Sequence, residues 1–173
     1  MSTTIDGSAS VTINSGAILG ITSGTVQNST SGTSIDFTSI PSWVKRITVM
    51  FNGVSTSGTT GLLLQIGSGS ITNSGYYSTS WTSSSNAINT TGLLLSASLS
   101  VASYLQSGVY IINLIGSNTW VGFGNTQYAN ISLTGWSQAG NSPALSGTLD
   151  RVRITTVNGT DTFDAGSINI LYE

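Results

Sequence analysis

From Ile47 to Leu149 the chain runs for 103 residues without a single Asp, Glu, Lys, Arg or His. A domain that lives alone in water normally spreads both signs of charge over its surface. This stretch must instead be covered by hydroxyls and amides, or face other protein. The residues that take the place of charge point to one fold class. Ser and Thr together number 56, Gly 21 and Asn 13. Such side chains compete with the backbone for hydrogen bonds and do poorly inside helices, but suit strands, turns and Asx-type loops. Hydrophobic residues make up 38%, too many for a disordered polar tract, and 173 residues are enough to bury a core. The chain is expected to be an all-β domain.

What is missing limits the chemistry. With no His and no Cys, Ser-His and Cys-His nucleophilic systems cannot be built, nor a thiolate or His-based zinc site. No enzyme activity and no cofactor are expected. Four Lys and Arg in total are too few for a phosphate-tracking surface, so nucleic acid is not an expected partner. The opening MSTTIDGSAS has neither the basic region nor the apolar run of a secretory signal, and no apolar stretch reaches membrane-span length. Membrane insertion is not expected. The four Asn-x-Ser/Thr sequons, at Asn28, Asn89, Asn130 and Asn158, are about what this composition produces by chance.

Hydrophobic alternation marks the strands. Residues 1–34 carry only two short apolar pieces, Ala9–Ile13 and Ala17–Ile21, and read as an extended N-terminal arm; residues 35–173 read as the globular domain. Ile40-Pro41-Ser42-Trp43 makes a proline-fixed turn before Arg46–Phe51, where Ile47, Val49 and Phe51 share one face. Leu62–Ile66 and Ile71–Tyr77 read as strands around Gly67-Ser68-Gly69. Leu93–Val101 alternates Leu93, Leu95, Ala97, Leu99 and Val101 against serines. Val109–Ile115 and Thr119–Phe123 flank a short connection at Gly116-Ser117-Asn118. Leu149–Val157 alternates again, Asn158-Gly159 supplies a positive-φ turn signal, and Ile168, Ile170 and Tyr172 face one way on the last strand. Many short strands with turn signals between them favour an antiparallel β-sandwich of jelly-roll type, with a β-solenoid as the weaker alternative.

Three groups of residues deserve a chemical reading. Asp150, Asp161 and Asp164 could form a carboxylate pair for glycoside hydrolysis, but Arg151 and Arg153 beside them favour simple charge pairing. Asn158–Asp164 offers several oxygen ligands to an ion, yet lacks EF-hand spacing and matches what loops use for local hydrogen bonding, so no metal is expected. The aromatic residues of the uncharged middle lie among amides and hydroxyls, as in sugar-binding surfaces. Tyr76, Tyr77, Trp81, Trp120, Tyr128, Trp136 and Gln138 are the candidate glycan or partner contacts, and Tyr104 lies in the same stretch. The competing reading places these rings in the core or in a subunit interface.

Two segments, GTSIDFTSIPSWVKRITVMFNGVSTSG (32–58) and GTLDRVRITTVNGTDTFDAGSINILYE (147–173), resemble a family of tailed-bacteriophage structural proteins found in tail fibres and other virion surface proteins. The resemblance covers 54 of 173 residues, and the 88 between them match no such motif. It implies a non-catalytic β-sandwich homotrimer on the particle surface, made in the host cytoplasm and bound to other virion proteins. Tail-fibre-like display, with host cell-surface glycan as a partner, is the leading expectation. A capsid decoration (cement) protein gripping the major capsid protein through residues 1–34 is the first alternative. A free-standing carbohydrate-binding module is the second.

Overall fold

The computed structural model describes residues 20–82, 86–97, 101–128 and 135–173, together with the backbone of 12–13 and 16–17. Among the described residues there is no helix, and every strand pairing is antiparallel. In chain order the strands are β1 (Thr12–Ile13), β2 (Gly16–Ala17), β3 (Thr22–Ser23), β4 (Gln27–Asn28), β5 (Ser34–Thr38), β6 (Arg46–Thr56), β7 (Leu62–Ser68) and β8 (Ser70–Ile71). They continue with β9 (Tyr77–Trp81), β10 (Asn86–Asn89), β11 (Leu93–Leu94), β12 (Gln106–Gly116), β13 (Thr119–Tyr128), β14 (Gly135–Asn141), β15 (Arg151–Thr156) and β16 (Phe163–Tyr172).

A nine-stranded sheet runs β10-β9-β14-β13-β12-β6-β16, with β3 and β4 both pairing along the far side of β16. A five-stranded sheet runs β11-β7-β15-β5, with β8 on β7. The inward-facing residues of both sheets form one buried cluster: Ile47, Val49, Tyr110, Ile112, Trp120, Ile168 and Ile170 from the large sheet, and Phe37, Leu64, Ile66, Val152 and Ile154 from the small one. Period-two alternation puts these residues on one side of each sheet, and burying that side is the main driving force for the fold. Four strand pairs nest inside one another along the chain: β6 with β16, β7 with β15, β9 with β14, and β12 with β13.

Local sequence explains the connections that work as expected. Ser117 (φ 47°) and Asn118 (φ 56°) are the two central residues of the β12–β13 hairpin, so both lie in the left-handed region that a type I′ turn demands. The Val44 N–H bonds to the Pro41 carbonyl at 3.1 Å, closing the proline-fixed turn, and Trp43 packs on Tyr172 with ring centroids 5.8 Å apart. Gly122 and Gly124 lie under the Tyr110 ring. A Cβ on Gly124 would stand 2.4 Å from the Val109 carbonyl oxygen and 2.7 Å from Tyr110 Cδ2.

Other segments differ from the pattern reading. Leu93–Val101 is strand only at Leu93–Leu94, and residues 98–100 lie outside the described residues. Leu93, Leu94 and Leu95 are all buried, so the alternation does not separate an inner from an outer face. The Leu95 carbonyl is taken by side chains, and Ser96 Oγ accepts the Leu62 N–H at 3.1 Å, which ends the ladder. Ile71–Tyr77 is likewise strand only at its two ends. Asn158-Gly159 turns the chain with Gly159 at φ 69°, but it joins β15 of the small sheet to β16 of the large one and makes no hairpin.

Much of the expected arm, residues 1–11, 14–15 and 18–19, lies outside the described residues, as does Asn130. Its later part lies along the domain. Beyond β3 and β4, fully buried Ser29 donates through Oγ to the Ala165 carbonyl at 2.8 Å, and Gln27 Nε2 donates to the Asp36 carbonyl at 2.6 Å. Residues 22–34 thereby fasten to both sheets.

Candidate functional site

The seven candidate contact residues separate by which side of the large sheet they occupy. Tyr76 is fully buried; its hydroxyl donates to the Thr72 carbonyl at 2.9 Å and accepts the Ile66 N–H at 3.0 Å. Burial pushes that phenol up to about 12, against the opposing pull of the Ile66 backbone. Trp120 is a core residue whose backbone N–H is held by Ser142 Oγ at 3.0 Å. Tyr128 and Trp136 form a second buried cluster with Ala97 and Tyr104, and the Tyr104 and Tyr128 rings are 5.0 Å apart. Burial raises the Tyr128 hydroxyl, partly offset by the neighbouring Trp136 side chain.

Gln138 is buried for a specific reason. Its Nε2 donates to the Leu95 carbonyl at 2.6 Å and to Thr126 Oγ1 at 2.8 Å. Gln106 Nε2 does the same, at 2.8 Å to each acceptor, and Thr126 Oγ1 donates to Leu95 O at 2.9 Å. This node ties residues 93–97 to β12, β13 and β14. Tyr76, Trp120, Tyr128, Trp136 and Gln138 are interior residues of the single chain, each on the inward phase of its strand or loop.

Tyr77 and Trp81 remain outside. They sit on β9 in the same phase, 70% and 41% exposed. The strand register places them within a continuous outer face. One row crosses the sheet as Ile88, Thr79, Ala139, Phe123, Ile111, Thr48 and Leu171. The row beside it reads Asn86, Trp81, Ser137, Asn125, Val109, Met50 and Asn169. Ile88 is 79% exposed, Phe123 56% and Val109 39%. Single exposed apolar side chains are ordinary on protein surfaces, but a contiguous apolar patch marks a contact site. Strands β10, β9, β14, β13 and β12 carry no charged residue, and the charges of this sheet are confined to the β6 and β16 end, where Arg46 and Glu173 pair at 3.0 Å.

A shallow cleft of about 340 Å³ lies on the same face at one end of β12, β13 and β14. Ser107, Asn125, Gln127 and Ser137 line it around Gly108 and Gly135, and Thr126 and the candidate residue Trp136 border it as well. Ser137 Oγ donates to Asn125 Oδ1 at 2.8 Å, and Trp81 is the register partner of Ser137 on the next strand. The outward residues that build this surface, notably Phe123, Val109 and Ile88, are absent from the seven candidates. Their signal in the sequence is the outer phase of the alternation in a stretch that has no charges.

The carboxylates are held by separate partners. Asp150 accepts from Arg151 at 2.7 Å and from the Gly69 N–H at 3.1 Å, and the Arg151 bond holds its carboxyl below the usual range. Arg153 makes a bidentate pair with Asp36, both bonds 2.7 Å, because β15 and β5 place them directly opposite. Asp164 accepts from Ser55 Oγ. Asn158 Nδ2 bonds Asp161 Oδ1 at 2.7 Å and Thr60 Oγ1 bonds Asp161 Oδ2 at 2.8 Å, so Asp161 is also held below its ordinary value, Asn158 contributing most. Asn158 Oδ1 meanwhile accepts from Thr156 Oγ1 and from the Thr160 and Asp161 N–H groups. The polar atoms of this loop serve its own geometry. Among the described residues no group of three or more acidic side chains is placed to share an ion. Comparison with protein-family models, with curated proteins and with solved structures finds no significant match to this chain.

Proposed function

We propose that this protein is a non-enzymatic structural protein of a bacteriophage particle, displayed on the virion surface as a tail-fibre-like homotrimer of jelly-roll β-sandwiches. The observation that carries the reading is the broad outer face of the large sheet, free of charge over β10, β9, β14, β13 and β12, which suits packing against other protein better than exposure to water. The resemblance of residues 32–58 and 147–173 to phage structural proteins supports it from a second direction. Those segments contain β5, β6, β15 and β16, which pair with one another across both sheets. They make a framework; residues 59–146 supply β7 to β14, and β1 to β4 precede it. The nested pairs β6·β16, β7·β15, β9·β14 and β12·β13 follow the rolled-up hairpin of a jelly roll, although β12 and β13 join the large sheet instead of the small one.

Two other readings each have an observation in their favour. A capsid decoration role through residues 1–34 is favoured by the fastening of residues 22–29 to β16, which gives an N-terminal clamp a fixed root. Glycan binding, at a host receptor or as a carbohydrate-binding module, is favoured by the neutral Ser107–Asn125–Ser137 cleft beside exposed Trp81. Quantitative mass spectrometry of gradient-purified particles tests the main reading. A handful of copies per particle fits a tail position, and hundreds fit the capsid. A protein absent from washed particles refutes both virion roles.

A further inference from the structure

Among the described residues the outer face of the large sheet, neutral from β10 to β12, has no partner within the chain, and its register defines what could cover it. We infer that a second copy of this same chain packs on it, along the apolar row that runs from Ile88 on β10 through Phe123 and Ile111 to Leu171 on β16. This rests on the assembly part of the proposed function and assigns that assembly a surface.

Charge is the first argument. A foreign protein ordinarily brings Lys, Glu, Arg or Asp to an interface. Against this face such groups would lose water and find no counter-charge, which is strongly unfavourable. A copy of the same face brings none over five adjoining neutral strands, drawn from one 103-residue charge-free stretch, and its Arg46 and Glu173 at the β6 and β16 side already pair with each other. Size is the second. Seven strands at a spacing of ~4.8 Å, with about three outward positions each, span roughly 500 Å² of flat area before side-chain relief, the same order as the ~800 Å² per partner in stable complexes. The edge strand is the third. Among the described residues β10 ends the sheet, and its Asn86-Ala87-Ile88-Asn89 has none of the charges and prolines that guard exposed edges. Such an edge beside an apolar face is an aggregation site unless a partner shields it. The flanking Asn, Ser and Thr rows supply hydrogen-bonding groups at the rim of the contact.

The test is light scattering with size-exclusion chromatography on the full chain and two variants, with circular dichroism to verify folding. Phe123→Glu and Ile88→Lys each place a charge on a side chain that is largely in water in the single chain, so the fold should tolerate both. Val157→Glu, exposed on the turn after β15, is the control. The expected result is a wild type that assembles to a multiple of the 17.8 kDa chain mass, matched by the control. Both face variants should be folded monomers at the same concentration. A wild type that assembles while folded Phe123→Glu and Ile88→Lys still assemble overturns the face and leaves the assembly reading intact. A monomeric wild type overturns both, and leaves the face to a glycan. If one variant fails to fold, the other decides by the same criteria.

Discussion

Replacing Thr126 by Val isolates the energetic role of the buried node that holds residues 93–97 to the large sheet. The substitution keeps the shape of the side chain and removes one oxygen. That oxygen takes part in three hydrogen bonds: it donates to Leu95 O and accepts from Gln106 Nε2 and Gln138 Nε2. The Leu95 carbonyl keeps its two amide donors and stays satisfied. Each glutamine, however, is left with one buried N–H lacking an acceptor, and both side chains are almost fully out of solvent. A buried polar group deprived of its partner costs about 1–3 kcal/mol, so with two such groups the variant should lose roughly 2–6 kcal/mol. For a chain of this length that lowers Tm by roughly 4–24 °C. Thr126→Ser keeps the oxygen and gives up one methyl, which costs about 1 kcal/mol. Urea unfolding followed by circular dichroism and tryptophan fluorescence, at one fixed protein concentration, measures both. A Val variant as stable as the Ser variant would refute the assignment of Thr126 as the hub and make the node mere packing.

Three further outcomes follow from the same geometry. Gly124→Ala brings a Cβ within 2.4 Å of the Val109 carbonyl oxygen, which β12 pairing prevents from retreating; a loss of about 1–3 kcal/mol is expected by denaturant titration. Trp120→Ala empties a core position and should cost about 3–5 kcal/mol, whereas Trp81→Ala on the outer face should stay within about 0.5 kcal/mol for the unassembled chain, both read as midpoint shifts. Asp150 and Asp161 are both held below their ordinary values, so the unfolded chain binds their protons more readily than the folded one. Their stabilisation is fully present above the unfolded carboxylate range near pH ~4 and fades as pH falls through the lower folded values. Thermal melts from pH 7 to pH 3 should show that decline, and Asp161→Asn should flatten part of it.

Composition and period two were enough to read the all-β class and the strands that face a core on one side only. Arg46–Phe51 and Leu149–Val157 are legible because each alternates over a half-buried surface, and Gly116-Ser117-Asn118 because few residues accept the left-handed turn between β12 and β13. Leu93–Leu95 misleads because it is buried all round, and a segment buried on every side carries no periodic signal. The site was legible as a region and not as residues. Absence of charge over 103 positions marks the stretch that builds the neutral face. An aromatic ring among amides, by contrast, looks the same in sequence whether it turns inward, as Trp120 and Trp136 do, or outward, as Trp81 does. Strand phase and cross-strand register decide that, along with the pairing of β10 through β16 into one surface. These depend on contacts between residues far apart in the chain, which local preference does not encode.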